Sequence, residues 1–191
     1  YAVNLGTWFV YDPVTKKGGL GAAYPNSRLK SSAFTDGTTS TIGFAEVKGW
    51  NPYYRNAGLD HAGLTTMPFP ADICTLGGDF KTESGHTEWV DGRAHQIGFT
   101  TAFRPNERVL CDVSGTIYDV DWNNWQEGRG FHADPPATTP TYAAVTARSY
   151  FAGAVNVSMM DGSVRAVSND IELGVWRAIS TRAGKDILPD S

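Results

Sequence analysis

Only two cysteines occur in the 191 residues, Cys74 and Cys111, and they form no Cys-x-x-C pair. A structural zinc site draws about four ligands from Cys and His, so none is expected. The pair leaves two readings open: one disulfide if the chain is exported, or two buried thiols. Long apolar runs are also missing. No stretch approaches the roughly 18 residues that a membrane-spanning helix needs, and no membrane contact is expected from this segment. Basic residues are few: 16 Lys and Arg against 20 Asp and Glu leave a net charge of −4. Pairs such as Lys16-Lys17 build no stripe that could follow a phosphate backbone, so nucleic acid is not an expected partner. Catalytic signatures are lacking in turn. There is no Gly-x-Ser-x-Gly, and Ser84 merely precedes Gly85-His86 without a triad. Gly18-Gly19-Leu20-Gly21 lacks the Lys and the helix pattern of a phosphate loop. His86-Thr87-Glu88 is half of a zinc deaminase signature whose Pro-Cys-x-x-Cys half is absent. A polar turn, with Glu88 paired to Arg93, is the plainer reading, and no enzymatic activity is expected.

What is present leans toward strands and turns. Gly (21) and Pro (10) punctuate a chain with many aromatics. The expected fold is α+β: a mainly antiparallel sheet with large irregular insertions, a C-terminal β-hairpin and a short helix, all in one domain spanning 1–191. Residues 41–47 and 98–103 read as strands. Residues 50–74 and 119–142 read as turn-rich, and the second stretch carries Asp134-Pro135-Pro136 and Thr138-Thr139-Pro140, which suit neither helix nor central strand. It is expected to be a surface insertion. Asp161-Gly162 lies between alternating runs, the signal of a hairpin with a two-residue type I′ loop. That loop would set Met160 opposite Ser163 and put Val155, Val157, Met159, Val164 and Ala166 on one core face. After it, Asn169 and Glu172 have the spacing of a capping box, and Ile171, Val175 and Ile179 with Trp176 form a helical apolar stripe. Arg182 and Gly184 suit that helix's end.

The block 149–165, from Ser149-Tyr150-Phe151 through Met160-Asp161-Gly162 to Arg165, resembles the end of bacterial prepilin-type proteins marked by a His, nine residues, then Asp-Gly. Asn4-Leu5-Gly6-Thr7-Trp8, the run Phe34 to Thr41 with Glu46, and Gly85 to Arg93 continuing to Phe99-Thr100 resemble the same family, in order along the chain. The hallmark His position is Phe151 here, so no role is carried onto it. The resemblance implies a pilin- or pseudopilin-like fold. It also implies an exported protein at the cell surface, in the extracellular space or in the periplasm, of the type IV pilus or type II secretion kind. Members begin with a cleavable leader and a long apolar helix, and this chain, starting at Tyr1, is expected to begin just after that helix. Its partners would be itself or other pilin-like subunits, through the helix.

Two constellations could bind a ligand. Asp119-Val120-Asp121 alternates oxygen donors as a calcium loop does, but Asn124 and Gly130 stand where an EF-hand wants Gly and Glu. A looser calcium site from Asp119, Asp121 and Glu127 is the candidate, and some secretion pseudopilins that the chain resembles use calcium to fix a C-terminal loop. No other cofactor is expected. Trp122 and Trp125 sit among Asp121, Asn123, Asn124 and Gln126, flat apolar rings beside amides, which suits a sugar ring. A cell-surface glycan-binding module is thus the alternative to a structural subunit.

Overall fold

A computed structural model describes residues 1–58, 62–125 and 138–185. In chain order the strands are β1 (Ala2–Asn4), β2 (Phe9–Tyr11), β3 (Ile42–Ala45), β4 (Asn51–Arg55), β5 (Asp79–Gly85) and β6 (Gly98–Phe99). They continue as β7 (Leu110–Val113), β8 (Thr116–Asp119), β9 (Asp121–Asn123), β10 (Thr141–Ala144), β11 (Ala154–Met159) and β12 (Val164–Ser168). Among the described residues, two short α-helices, α1 (Ala94–Ile97) and α2 (Leu173–Ala178), and three 3₁₀ turns accompany the strands. The α+β expectation holds in its coarse form.

Two five-stranded sheets share the strands. The first runs β12-β11-β3-β1-β6, antiparallel except for the β1–β6 pair. The second runs β2-β10-β9-β4-β5, antiparallel except for β4–β9. β7 and β8 form a separate ribbon. Apolar side chains of the first sheet's inner face (Ile42, Ala45, Val155, Val157, Met159) pack with Phe99 and Trp176 in one core. A second core gathers Trp8, Leu64, Ile73, Phe103, Val109, Val120, Trp122 and Tyr142. Cys74 and Cys111 are bonded, with Cα atoms 5.5 Å apart, and tie the 3₁₀ segment Pro70–Leu76 to β7 beside this second core. That resolves the two cysteine readings in favour of the disulfide.

The hairpin is present, but its loop has three residues. Ser158 pairs with Val164, and the Met159 and Gly162 amides donate to the Ser163 and Met159 carbonyls at 2.8 and 3.0 Å. Only Gly162 takes positive φ, +87°. The loop is thus an ordinary turn closed by a left-handed residue, and Asp161 avoids the strain that a type I′ turn would impose. Its carboxylate accepts instead from Ser163 N and Oγ, at 2.9 and 2.7 Å. The one-residue slip reverses β12. Val167, opposite Val155, packs toward the core, while Val164 and Ala166 turn to the outer face with Asn156 and Ser158.

Other boundaries move for local reasons. Helix α2 starts three residues late: Glu172 is its cap, accepting from Val175 N at 2.8 Å, while Asn169 Oδ1 is taken by Asn106 Nδ2 at 2.7 Å. Trp176 is the buried centre of its stripe, flanked by Leu173 and Ile179. Arg182 lies past the helix and donates to the Gly19 and Gly21 carbonyls, clasping the N-terminal loop. The turn-rich stretch after Trp50 opens with a strand, β4. Pro52 is tolerated there because the ladder shifts register between Asn51 and Tyr53. The expected insertion 119–142 is narrower at both ends, since β9 and β10 are adjacent strands of the second sheet. Its middle, 126–137, falls outside the described residues.

Candidate functional site

Two regions carry unusual chemistry. The first is an ion cluster under the second sheet. Arg148, only 2% exposed, donates through Nη1 to Asp121 Oδ1 and through Nη2 to Asp119 Oδ1 at 3.0 Å. Asp121 also accepts from Asn51 Nδ2 at 2.8 Å and from Thr146 N at 3.0 Å. Asp119 accepts from Val109 N at 2.9 Å and lies 3.9 Å from Arg108. Burial alone would push the Arg148 guanidinium down, but the Asp121 and Asp119 charges outweigh it and hold it above its ordinary value. The two carboxylates proposed for calcium are therefore engaged by a cation of the chain itself. The third, Glu127, lies outside the described residues. Among the described residues no group of three His, Cys, Asp or Glu side chains is arranged to hold a metal ion.

Beside this cluster sit two imidazoles. His95, on α1, stacks on Tyr53 with ring centroids 4.6 Å apart, and neither of its nitrogens has a hydrogen-bond partner. Burial, with Arg55 and Arg93 nearby, depresses it to about 3. His86 is at φ +56° and its Nδ1 meets the Gln96 carbonyl at 2.9 Å, so Nδ1 carries the proton of the neutral ring. Burial pushes its pKa down against the opposing pull of Asp121. Gln96 organises the whole turn: its Oε1 accepts from Thr87 N and Glu88 N, both at 3.0 Å, and its Nε2 donates to Ser84 O at 2.9 Å. His86-Thr87-Glu88 is thus a polar turn wound on an amide. Arg93 forms its ion pair with Asp91 at 2.8 Å, where Glu88 had been the expected partner. Ser84 Oγ lies 3.3 Å from Tyr53 Oη.

Of the two rings expected to form a sugar platform, Trp122 and Trp125, the structure withdraws Trp122. Trp122 is fully buried, stacked on Trp8 with centroids 5.6 Å apart, and its Nε1 donates to Gly77 O at 2.9 Å. A β-strand alternates its faces, and β9 sends Trp122 into the second core. Trp125, past the strand, is half-buried, and its carbonyl accepts from Asn123 Nδ2 at 2.6 Å.

The second region is the outer face of the first sheet. One register row crosses all five strands: Val164, Ser158, Phe44, Val3, Gly98. Phe44 is 49% and Val164 70% exposed, and Ala166 is exposed beside them. Glu46 bridges β3 to β11 just past this row, accepting from Asn156 N and Nδ2 at 2.8 and 3.0 Å. Tyr1 precedes β1 and is exposed. The face is mixed: Phe44, Val164 and Ala166 are its exposed apolar side chains, Ser158 and Asn156 lie among them, and Val3 is half-buried. No helix of the described residues is long and apolar enough to cross a membrane.

Comparison with curated proteins and with solved structures gave no match. A family model described as a protein of unknown function, DUF1559, matches residues 1–174. With all but the last part of its length matched by that model, the chain belongs to the DUF1559 family.

Proposed function

We propose that this domain is the exported, outward-facing part of a pilin-like subunit in a type IV pilus or type II secretion pseudopilus kind of assembly. An apolar helix preceding Tyr1 packs on the outer face of the first sheet and joins subunits together. The observation that carries this reading is the exposure of Phe44 and Val164, in one register row, on a sheet whose other face is already a packed core. Sheets of this kind cover an apolar face with a helix or another layer. Export is supported by the Cys74–Cys111 disulfide, because such bonds persist in oxidising compartments. The work is structural, without turnover. His86 is bound into a turn, Ser84 hydrogen-bonds Tyr53, and Asp119 and Asp121 are ion-paired to Arg148.

The test compares the 191-residue chain with full-length, leader-processed protein by sedimentation and electron microscopy. Full-length protein should form filaments or pilin-like complexes, and Phe44→Glu or Val164→Glu should weaken them while the isolated domain keeps its melting temperature. Filaments from the isolated domain alone would refute the role of the helix. A reproducible hydrolytic activity abolished by His86→Ala or Glu88→Ala would refute the structural reading.

A further inference from the structure

The chain passes between the two sheets three times at one end of the molecule. β3 leads to β4 through Val47–Trp50, β10 leads to β11 through 145–153, and β5 leads to β6 through 86–97. The pairings place these crossovers together. β3 ends where β11 begins, β4 begins where β5 ends, and β9 aligns the start of β4 with the end of β10. Contacts agree. The Tyr150 hydroxyl donates to Gly49 O at 3.4 Å, and a Cβ at Gly49 would lie 3.8 Å from His86 O. Each crossover carries its own exposed aromatic: Trp50, Trp89, and Tyr150 with Phe151, at 70–86% exposure. Trp50 is also held at φ +64°, a left-handed conformation that a bulky residue rarely adopts. Strain and an exposed ring together at a loop tip mark a functional position better than either does alone.

We propose that this end of the domain is a binding surface for a neutral polysaccharide. Pyranose rings present flat C–H faces that stack on indole and phenol rings, and their hydroxyls need donors and acceptors of both kinds. The patch mixes them: Lys48 Nζ lies 5.2 Å over the Tyr150 ring, Glu88 is exposed beside Trp89, and the Asp91–Arg93 pair closes the same turn. This mixture disfavours the other occupants. Protein interfaces are depleted of Lys, Glu and Asp at their centres. A bilayer would have to take up Lys48 and Glu88 along with the rings. Neither sign of charge dominates the patch, and the chain's net −4 opposes a polyanion. The composition-based expectation of glycan binding thus returns at different residues, on loops instead of at Trp122. The surface does not depend on filament assembly: an assembling protein that binds no glycan overturns this inference alone.

The test is native-gel retardation of the 191-residue chain in laminarin, hydroxyethylcellulose or mannan, with pull-down on cellulose and chitin. At least one should bind, insensitive to salt. Trp89→Ala, Tyr150→Ala and Trp50→Gly should each weaken binding about tenfold, the loss expected for one stacked ring, with the melting temperature unchanged or, for Trp50→Gly, raised. No retention by any of these polymers overturns the proposal, as does retention that all three variants preserve. Binding only to alginate overturns the neutral-ligand claim. Flotation with phosphatidylcholine vesicles, or concentration-dependent dimerisation, lost in the same variants and without glycan binding, would reassign the patch and overturn it too.

Discussion

Replacing Asp121 with Asn keeps the shape of the ion cluster and removes one charge from it. In the parent, Asp121 serves three donors, Arg148 Nη1, Thr146 N and Asn51 Nδ2, in a site that water barely reaches. An asparagine offers one oxygen and one NH₂ group, so at least one donor then faces another donor. Arg148 also keeps only the partly exposed Asp119 as counter-charge. Removing one partner of a buried pair costs about 3–5 kcal/mol, because an uncompensated charge is left behind. In a chain of this size that lowers the melting temperature by about 10 °C. The built-in control is Asp91→Asn. Its pair with Arg93 is more open, with side-chain exposures of 14% and 31%, and its loss should cost less than about 1 kcal/mol. Calorimetry and urea unfolding of the oxidised protein measure both. An Asp121→Asn variant no less stable than Asp91→Asn would refute the reasoning. In the double variant Asp121→Asn/Arg148→Met the cost should fall short of the sum, since the orphaned cation goes with its partner. Calcium should leave the parent's melting temperature unchanged, because Arg148 holds both described carboxylates of the proposed site. A clear rise would restore the calcium reading.

Stability should also fall with acid. His95 is held near 3 in the folded state against about 6.5 when unfolded, so the unfolded chain takes up the proton first. Its contribution is intact above about pH 6.5 and is lost as pH falls toward 3, at up to about 1.4 kcal/mol per pH unit. His86, also depressed, acts in the same direction, and His95→Phe should flatten the profile measured by urea unfolding. Gly162→Val should destabilise by about 1 kcal/mol, since φ is +87° and no neighbour lies within 4 Å of the added Cβ, so the cost is backbone strain alone. Gly162→Asn should cost less, and equal melting temperatures for the parent and the Val variant would contradict the turn. Unfolded but unreduced protein should show no alkylatable thiol, and Cys74→Ser/Cys111→Ser should cost up to about 4 kcal/mol in the chain-entropy picture for a separation of 37 residues.

Local chemistry was legible where neighbours in sequence set it. The hairpin was visible in the alternation on either side of Asp161-Gly162, but its loop length was not. A two-residue and a three-residue loop use the same dipeptide, and the choice rested on the Asp161 side chain reaching Ser163 and on the pairing of β11 with β3. The same limit hid β4, whose Pro52 reads as a strand breaker until β5 is seen to shift register around it. It also shifted α2, because Asn169 satisfies the capping pattern while Asn106, distant in sequence, claims its side chain.

The site residues divide along the same line. Asp119 and Asp121 were singled out as carboxylates two apart, but a calcium loop and a half of an ion pair look alike until the cation is found. Arg148 stands 27 residues beyond Asp121, and no periodicity joins them. The burial of Trp122 is hidden in the sequence for a related reason. Amide-rich neighbours suggested exposure, yet Asn123 and Asn124 are themselves buried and spend their side chains on backbone carbonyls, those of Trp125 and Pro140. The exposed rings had no common signal at all, because Trp50, Trp89 and Tyr150 come from three separate connections. What gathers them is topology: each connection crosses between the same two sheets, and the strand directions send all three crossovers to one end. A surface of that kind becomes visible only once the pairings are known.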